Sequence, residues 1–259
     1  MYKPATMANV IFHHHLFKNA GTSVDVALRR CFGPRWRNVE GEGRELTGQD
    51  LGALLAGEPE LCAISSHTFR PPFEVPGDVR LLPIVLLRHP LDRVRSAYEF
   101  ERQQVADTMG TRLAKVHDFA GYVRARLAQP HDRSIRNFQT NKLSHLPRNA
   151  APDTAEELLS AMGCLQRLPF IGLVETYDFS MRVFSAKLSE QLGGQSLEVV
   201  RANTTHKAED SLATRVAAAE AALGEELAAA FHAANRQDQH LFDLIAWMHV
   251  QLQEAPQPR

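Results

Sequence analysis

The chain has 259 residues, 44% hydrophobic and 23% charged, the balance of a folded globular protein rather than a disordered one. Its 29 Lys and Arg against 30 Asp and Glu leave a formal charge of −1, which excludes a globally basic nucleic-acid coat and an acidic tail protein. Cys31, Cys62 and Cys164 are widely spaced and form no C-x-x-C pair, which argues against a disulfide framework or a cysteine zinc site. The opening MYKPATMANVIF lacks the apolar core of a signal peptide, and no run approaches the roughly 18 apolar residues of a membrane span. The expectation is a single domain over 1–259, in the reducing cytoplasm.

Val10, Ile11 and Phe12 predict a strand over Asn9 to His15. Leu16 to Ser23 reads as a loop, followed by a helix with Val24, Ala27, Leu28 and Cys31 at helical spacing and Thr22 or Ser23 as N-cap. Gly33 to Gly48 reads as loop, and Thr47 as the cap of a short helix with Leu51, Leu54 and Leu55 on one face. Leu61 to Ser66 predicts a second strand, Phe69 to Asp78 a Pro-rich loop, and Leu82 to Leu87 a third strand begun at Pro83. Asp92 is read as the cap of the next helix. Further helices are expected over Asp118 to Gln129, Asp153 to Leu165 and Phe179 to Leu192, with a fourth strand at Phe170 to Val174. The tail reads as helix from Asp210 to Gln251, broken near Gly224. Val216, Leu223, Leu227 and Phe231 form its core-packing or homodimer face. Alternating strands and helices imply an α/β fold with a mostly parallel sheet and ligands beyond the strands' C-terminal ends.

Two loops there carry chemistry. The first, His15-Leu16-Phe17-Lys18-Asn19-Ala20-Gly21-Thr22-Ser23, offers a lysine, a glycine and two hydroxyls at a helix N-terminus, where free N–H groups attract an anion. It is not a Walker A loop, in which the lysine follows the second glycine. The second, Leu87-Arg88-His89-Pro90-Leu91-Asp92-Arg93-Val94-Arg95-Ser96-Ala97-Tyr98, puts the fork of Arg88 at a strand end and the Ser96 hydroxyl about two turns into the next helix. Alone, the first loop also fits an ordinary strand-to-helix turn with a solvated lysine, and the second a surface helix whose arginines are solvated or paired to Asp92 and Glu99. Together they suit a nucleotide with phosphate at both ends.

With these loops the chain resembles PAPS-dependent sulfotransferases (PAPS is 3′-phosphoadenosine 5′-phosphosulfate), most nearly the carbohydrate branch that includes heparan sulfate 2-O-sulfotransferases and many bacterial proteins. That branch carries H-I-P-K-T-A-G-T-S and L-R-D-P-x-x-R-x-x-S-x-Y. Phe17, Asn19 and His89 stand here where it has proline, threonine and aspartate. Ser66-His67-Thr68-Phe69, Arg136-Asn137-Phe138-Gln139-Thr140-Asn141 and Gly172-Leu173-Val174-Glu175 resemble further family segments. The resemblance implies one sulfotransferase domain with a P-loop-like three-layer α/β/α fold and a helical C-terminal part. It implies PAPS as co-substrate, no metal, and a hydroxyl-bearing acceptor, a carbohydrate or glycolipid. Lys18 would contact the bridging and leaving oxygens. Asn19, Ala20, Gly21, Thr22 and Ser23 would cradle the 5′-phosphate, and Arg88 and Ser96 would hold the 3′-phosphate.

His67 is read as the general base, against a structural histidine or Glu175 as alternative base. Lys207, in Asn203-Thr204-Thr205-His206-Lys207, is read as a further phosphate contact or as part of a solvated loop. His13 and His15 share one strand face and His14 points away, without the further pattern a metal needs, and His15 is expected to line the cofactor loop. Arg102, Arg112, Lys115, Arg124, Arg126, Arg133 and Arg136 make the middle of the chain basic, which fits an anionic acceptor or a solvated face. A small P-loop-like kinase and a non-catalytic nucleotide-binding module are the competing functions.

Overall fold

The computed structural model describes residues 8–75, 77–147, 150–189, 194, 196–202 and 211–254. Its core is a parallel sheet. β1 (Ala8–His14) pairs on one side with β3 (Ala63–Ser66), which pairs with β2 (Trp36–Asn38). On its other side β1 pairs with β4 (Val79–Ile84). One residue further, β5 (Leu86–Leu87) pairs with β6 (Gly172–Leu173). All these pairs are parallel. The chain therefore leaves β1 toward β3 and later crosses to the opposite side at β4, which makes the end of β1 a switch point.

Strand alternation decides which helices cover which face. Ile11, Ala63, Leu82, Ile84 and Leu86 pack under α1 (Gly21–Phe32) and α8 (Tyr177–Ser189). Val10, Phe12, Ile64 and Leu81 face the other way onto α2 (Gly48–Gly57). Val85 and Leu87 meet α6 (Phe138–Leu143), α7 (Ala155–Leu165) and α11 (Arg236–Glu254). A separate helical cluster joins α3 (Pro90–Gln103), α4 (Met109–Val116), α5 (Phe119–Leu127), α9 (Leu212–Leu223) and α10 (Glu225–Ala234) around Tyr98, Tyr122 and Phe231.

The α/β class and the parallel sheet agree with the sequence reading. So does the cap of α2 by Thr47, reinforced by Asp50, while α5 is capped by Asp118. Several details differ. The segment read as loop after Gly33 contains the edge strand β2. The third strand begins earlier, at Val79, and Pro83 lies inside it. That proline is tolerated because this stretch of β4 has a neighbour on one side only, β6 pairing just with β5. The helix after Arg88 has His89 as N-cap and Pro90 at its first position, so Asp92 does not cap it. α1 is capped by Ala20, in left-handed backbone with no side-chain hydrogen bond, rather than by Thr22 or Ser23. The tail breaks twice, at Gly224 (φ 76°) and at Asn235. α4 and α6 were not expected.

α6 is held by a reciprocal lock. The Asp238 carboxylate accepts the N–H groups of Gln139 (3.0 Å) and Thr140 (2.7 Å) and the Thr140 hydroxyl (2.8 Å). The Asn137 side-chain oxygen in turn accepts the N–H groups of Gln237 and Asp238 at the start of α11. Each helix end thus satisfies the other's orphan donors inside the core. Asp238→Ala is expected to lower the unfolding free energy by roughly 2–4 kcal/mol, since it strands three buried donors. Urea denaturation checks this, with Asp238→Asn falling between the two.

Candidate functional site

Because the strands are parallel, their C-terminal ends share one rim. His15 to Ala20 leaves β1 there, His67 leaves β3, Arg88 leaves β5 and Glu175 follows β6. The rim brings together Lys18, His67, Arg88 and Glu175, as the order of elements implied.

The first loop is tightly wound. Lys18 and Ala20 both have positive φ, 67° and 60°, a conformation costing an L-residue about 1–2 kcal/mol. The Asn19 side chain pins this turn, donating to the Leu86 carbonyl (2.8 Å) and to Gln139 Oε1 (2.7 Å). Asn19 is buried, its amide nitrogen holding the loop together while its side-chain oxygen has no hydrogen-bond partner among the described residues. α1 then starts with no acidic residue in its first turn, which leaves the partial positive charge of its N-terminus uncompensated. Thr22 is exposed there, while the Ser23 hydroxyl is buried and accepts the Ala202 N–H (3.0 Å). The Lys18 ammonium lies 4.3 Å from the centre of the Phe100 ring. Burial, then the nearby Arg88 charge, lowers its pKa, with Glu99 opposing.

Arg88 is buried and its fork is engaged. Nε donates to Asp92 (2.8 Å) and Nη1 to the Lys18 carbonyl (2.8 Å). Asp92 also receives Arg215 of α9 at 2.9 Å. A phosphate reaching Arg88 would share it with this carboxylate. Ser96 is buried, and its hydroxyl has no hydrogen-bond partner among the described residues. The Gln139 amide pairs with both main-chain groups of Arg88, donating to its carbonyl (2.8 Å) and accepting its N–H (2.9 Å). Glu175 accepts the His89 N–H (2.8 Å) at the start of α3, and burial pushes its carboxyl up to about 7. As an alternative base it is thus committed to a helix end.

The histidines separate by face as strand alternation requires. His14 sits with Phe12 and Phe73 and meets the Lys142 carbonyl (3.2 Å). His13 and His15 stack at 5.0 Å, and His67 stacks on His15 at 3.8 Å. Asp25 of α1 bridges the first two, 2.8 Å from His13 Nδ1 and 3.0 Å from His15 Nδ1. His13, His15 and Asp25 also have donor atoms within 4.8 Å of one another, the spread a metal could gather. At the outer end of the stack, Glu40 receives His67 Nδ1 (2.7 Å).

Asp25, Glu40, Gln139 and Arg215 were not singled out as site residues from sequence. Only Gln139 carried a signal, within the Asn137 to Thr140 segment. Lys207 lies outside the described residues. The basic middle of the chain is divided: Arg126 is buried and paired with Asp132 and Glu101, Arg133 is buried and paired with Glu157, and Arg136 is half-buried, whereas Arg102, Arg112, Lys115 and Arg124 are exposed. It therefore presents less free charge to an anionic acceptor than its composition suggests. Among the described residues no helix is long and apolar enough to cross a membrane.

Two outcomes follow from the histidine stack. A Cβ at Gly21 would fall 1.9 Å from His15 Nε2, and that ring is trapped between His13, His67 and Asp25. Gly21→Ala should cost about 1–3 kcal/mol, readable as a lowered thermal midpoint. The second concerns acid. Burial lowers the His13 pKa to about 4, with Asp25 opposing. His14 is lowered well below 6.5, by burial first and Lys142 next. Unfolded, both bind protons near pH 6.5, so the unfolded state takes up more protons between about pH 6.5 and 4 and stability falls as pH falls through that window. Burial raises the Asp25 pKa, but its bonds to His13 and His15 win and hold it below the carboxylate range, so its contribution is lost only below about pH 4. Urea midpoints measured from pH 7.5 to 4 should decline accordingly, and less steeply in His13→Gln.

No protein-family model matches the chain. A protein of Archaeoglobus fulgidus, described as uncharacterized, is 32% identical over 251 residues, spanning 93% of this chain and 97% of that protein. The shared stretch covers nearly all of both. The chain therefore belongs to the same family as this archaeal protein.

Proposed function

We propose that the chain is a PAPS-dependent sulfotransferase with a P-loop-like three-layer fold, moving a sulfuryl group to a hydroxyl of a carbohydrate or glycolipid-like acceptor. The observation that carries this is the N-terminus of α1 at the switch point, which has no side-chain cap, with Lys18 beside it and Arg88 bonded to the Lys18 carbonyl. Two cationic loops from different strand ends are thereby joined by one hydrogen bond (2.8 Å), which supports reading them as one site.

The reaction parallels phosphoryl transfer, in which charge grows on the leaving group and the protein positions and stabilises it. The N–H groups of Gly21 and Thr22 hold the 5′-phosphate, the Ser23 N–H being turned back to the Ala20 carbonyl (3.0 Å), and Lys18 neutralises the oxygen that leaves. Arg88 and Ser96 take the 3′-phosphate, the Ser96 hydroxyl being buried without a partner among the described residues. Lys207 is a further candidate phosphate contact. The acceptor oxygen bonds to sulfur as the bond from sulfur to the phosphate oxygen breaks. The acceptor's proton passes to His67, and adenosine 3′,5′-bisphosphate departs. The residues named need no metal for this, and the reading places the work in the reducing cytoplasm.

Calorimetric titration tests it. Adenosine 3′,5′-bisphosphate should bind without metal and much more tightly than 5′-AMP or MgATP. Lys18→Met should weaken it by about 10–100-fold, the worth of a charge-assisted hydrogen bond. Preference for MgATP would favour a kinase, and absence of binding would end the nucleotide reading.

A further inference from the structure

We infer that Glu40 is a positioning residue that turns His67 into a base, by fixing which ring nitrogen carries the proton and which faces the acceptor. This rests on the reading of His67 as the acceptor's base.

Glu40 follows the edge strand β2 and is carried to the end of β3 by main-chain bonds. Val39 N–H meets the Ser65 carbonyl (2.9 Å) and Leu46 N–H meets the Thr68 carbonyl (3.1 Å). Gly41 N–H adds a bond to the Thr68 hydroxyl (2.8 Å). The Glu40 carboxylate then collects a whole turn of donors: the His67 main-chain N–H (3.0 and 3.1 Å), the His67 ring (2.7 Å) and the Thr68 hydroxyl (3.0 Å). Burial alone would raise its pKa, but these bonds outweigh burial and hold it below the usual glutamate value. It is therefore an ionised acceptor at neutral pH. An ionised carboxylate has no proton to give, so the ring nitrogen facing it is the donor. Neutral His67 then carries its proton on Nδ1 and its lone pair on Nε2. This is the relation by which a buried carboxylate orients a catalytic imidazole in hydrolases.

The rest of the ring is fixed as well. His15 covers one face at 3.8 Å, itself held by Asp25 and backed by His13. The Lys142 ammonium donates to the His67 carbonyl (2.9 Å). Glu40, His15 with Asp25 and His13 behind it, and Lys142 are the titratable groups facing this residue. The side chain keeps 39% exposure, enough for an acceptor to approach.

A carboxylate that served only the turn would need the His67 main-chain N–H and leave the ring's tautomer undecided. Nitrogen-15 NMR of histidine-labelled protein separates the two, with His67→Gln identifying the resonance. The native ring should show a protonated Nδ1 and an unprotonated Nε2 when neutral, and Glu40→Ala should move that ratio toward Nε2–H. Glu40→Gln, which keeps the side chain's size and an acceptor oxygen for the turn, should show a smaller movement in the same direction. A native ring protonated at Nε2, or a ratio unchanged in both variants, overturns the proposal. Release of sulfate from PAPS into water supplies the kinetic readout. Glu40→Gln should lower its rate by about tenfold or more with the affinity for adenosine 3′,5′-bisphosphate unchanged. An unchanged rate in a chain that binds the bisphosphate also overturns it. Failure to bind the bisphosphate counts against the sulfotransferase reading instead, while the tautomer still decides whether Glu40 orients His67.

Discussion

The Gln139 amide is the interaction on which the rim depends. It pairs with both main-chain groups of Arg88 and takes the Asn19 side chain as well. The loop after β1 and the loop after β5 come from distant parts of the chain and have no ladder to hold them in register. One side chain supplies that register. It is itself seated by Asp238, whose carboxylate caps the helix on which Gln139 stands. The C-terminal helix α11 therefore sets the geometry at the strand ends, and its Leu241, Phe242 and Ile245 share a packed cluster with Leu16 of the first loop.

Electrostatics on the rim follow a common plan in which each charge is oriented by an opposite one. Arg88 leans on Asp92, which also holds Arg215. His13 and His15 share Asp25, and His67 has Glu40. Buried cations and imidazoles would otherwise lose more in desolvation than they gain. Lys18 is the contrast: its neighbours are a phenyl ring and the like charge of Arg88, with Glu99 a weaker attraction. An anion arriving at the start of α1 would meet a lysine, a helix N-terminus and no local carboxylate in the first turn.

Much of this was legible in the residues. The alternation of strands and helices established a parallel sheet, and the strand ends located Lys18, His67, Arg88 and Glu175 on one side of it. Period-2 alternation separated His14 from His13 and His15. Local rules failed where tertiary neighbours decide. Asp92 has the position and chemistry of a cap, yet two arginines claim it. Thr22 and Ser23 look like N-caps, yet the turn before them closes in left-handed backbone at Ala20. Pro83 looked like a strand start because an edge without a neighbour is invisible in a sequence.

By itself the sequence determined the periodicities, the cationic loops and the glycine at the mouth of the first helix, because each depends on residues close together in the chain. Only the tertiary structure decided that Glu40 meets His67 across 27 residues, that Asp25 serves two rings, and that Gln139 joins Arg88 to Asn19. Those partners lie far apart along the chain with no periodic pattern to connect them. A carboxylate or amide in a loop looks the same whether it faces water or a buried imidazole, and packing alone tells the two apart.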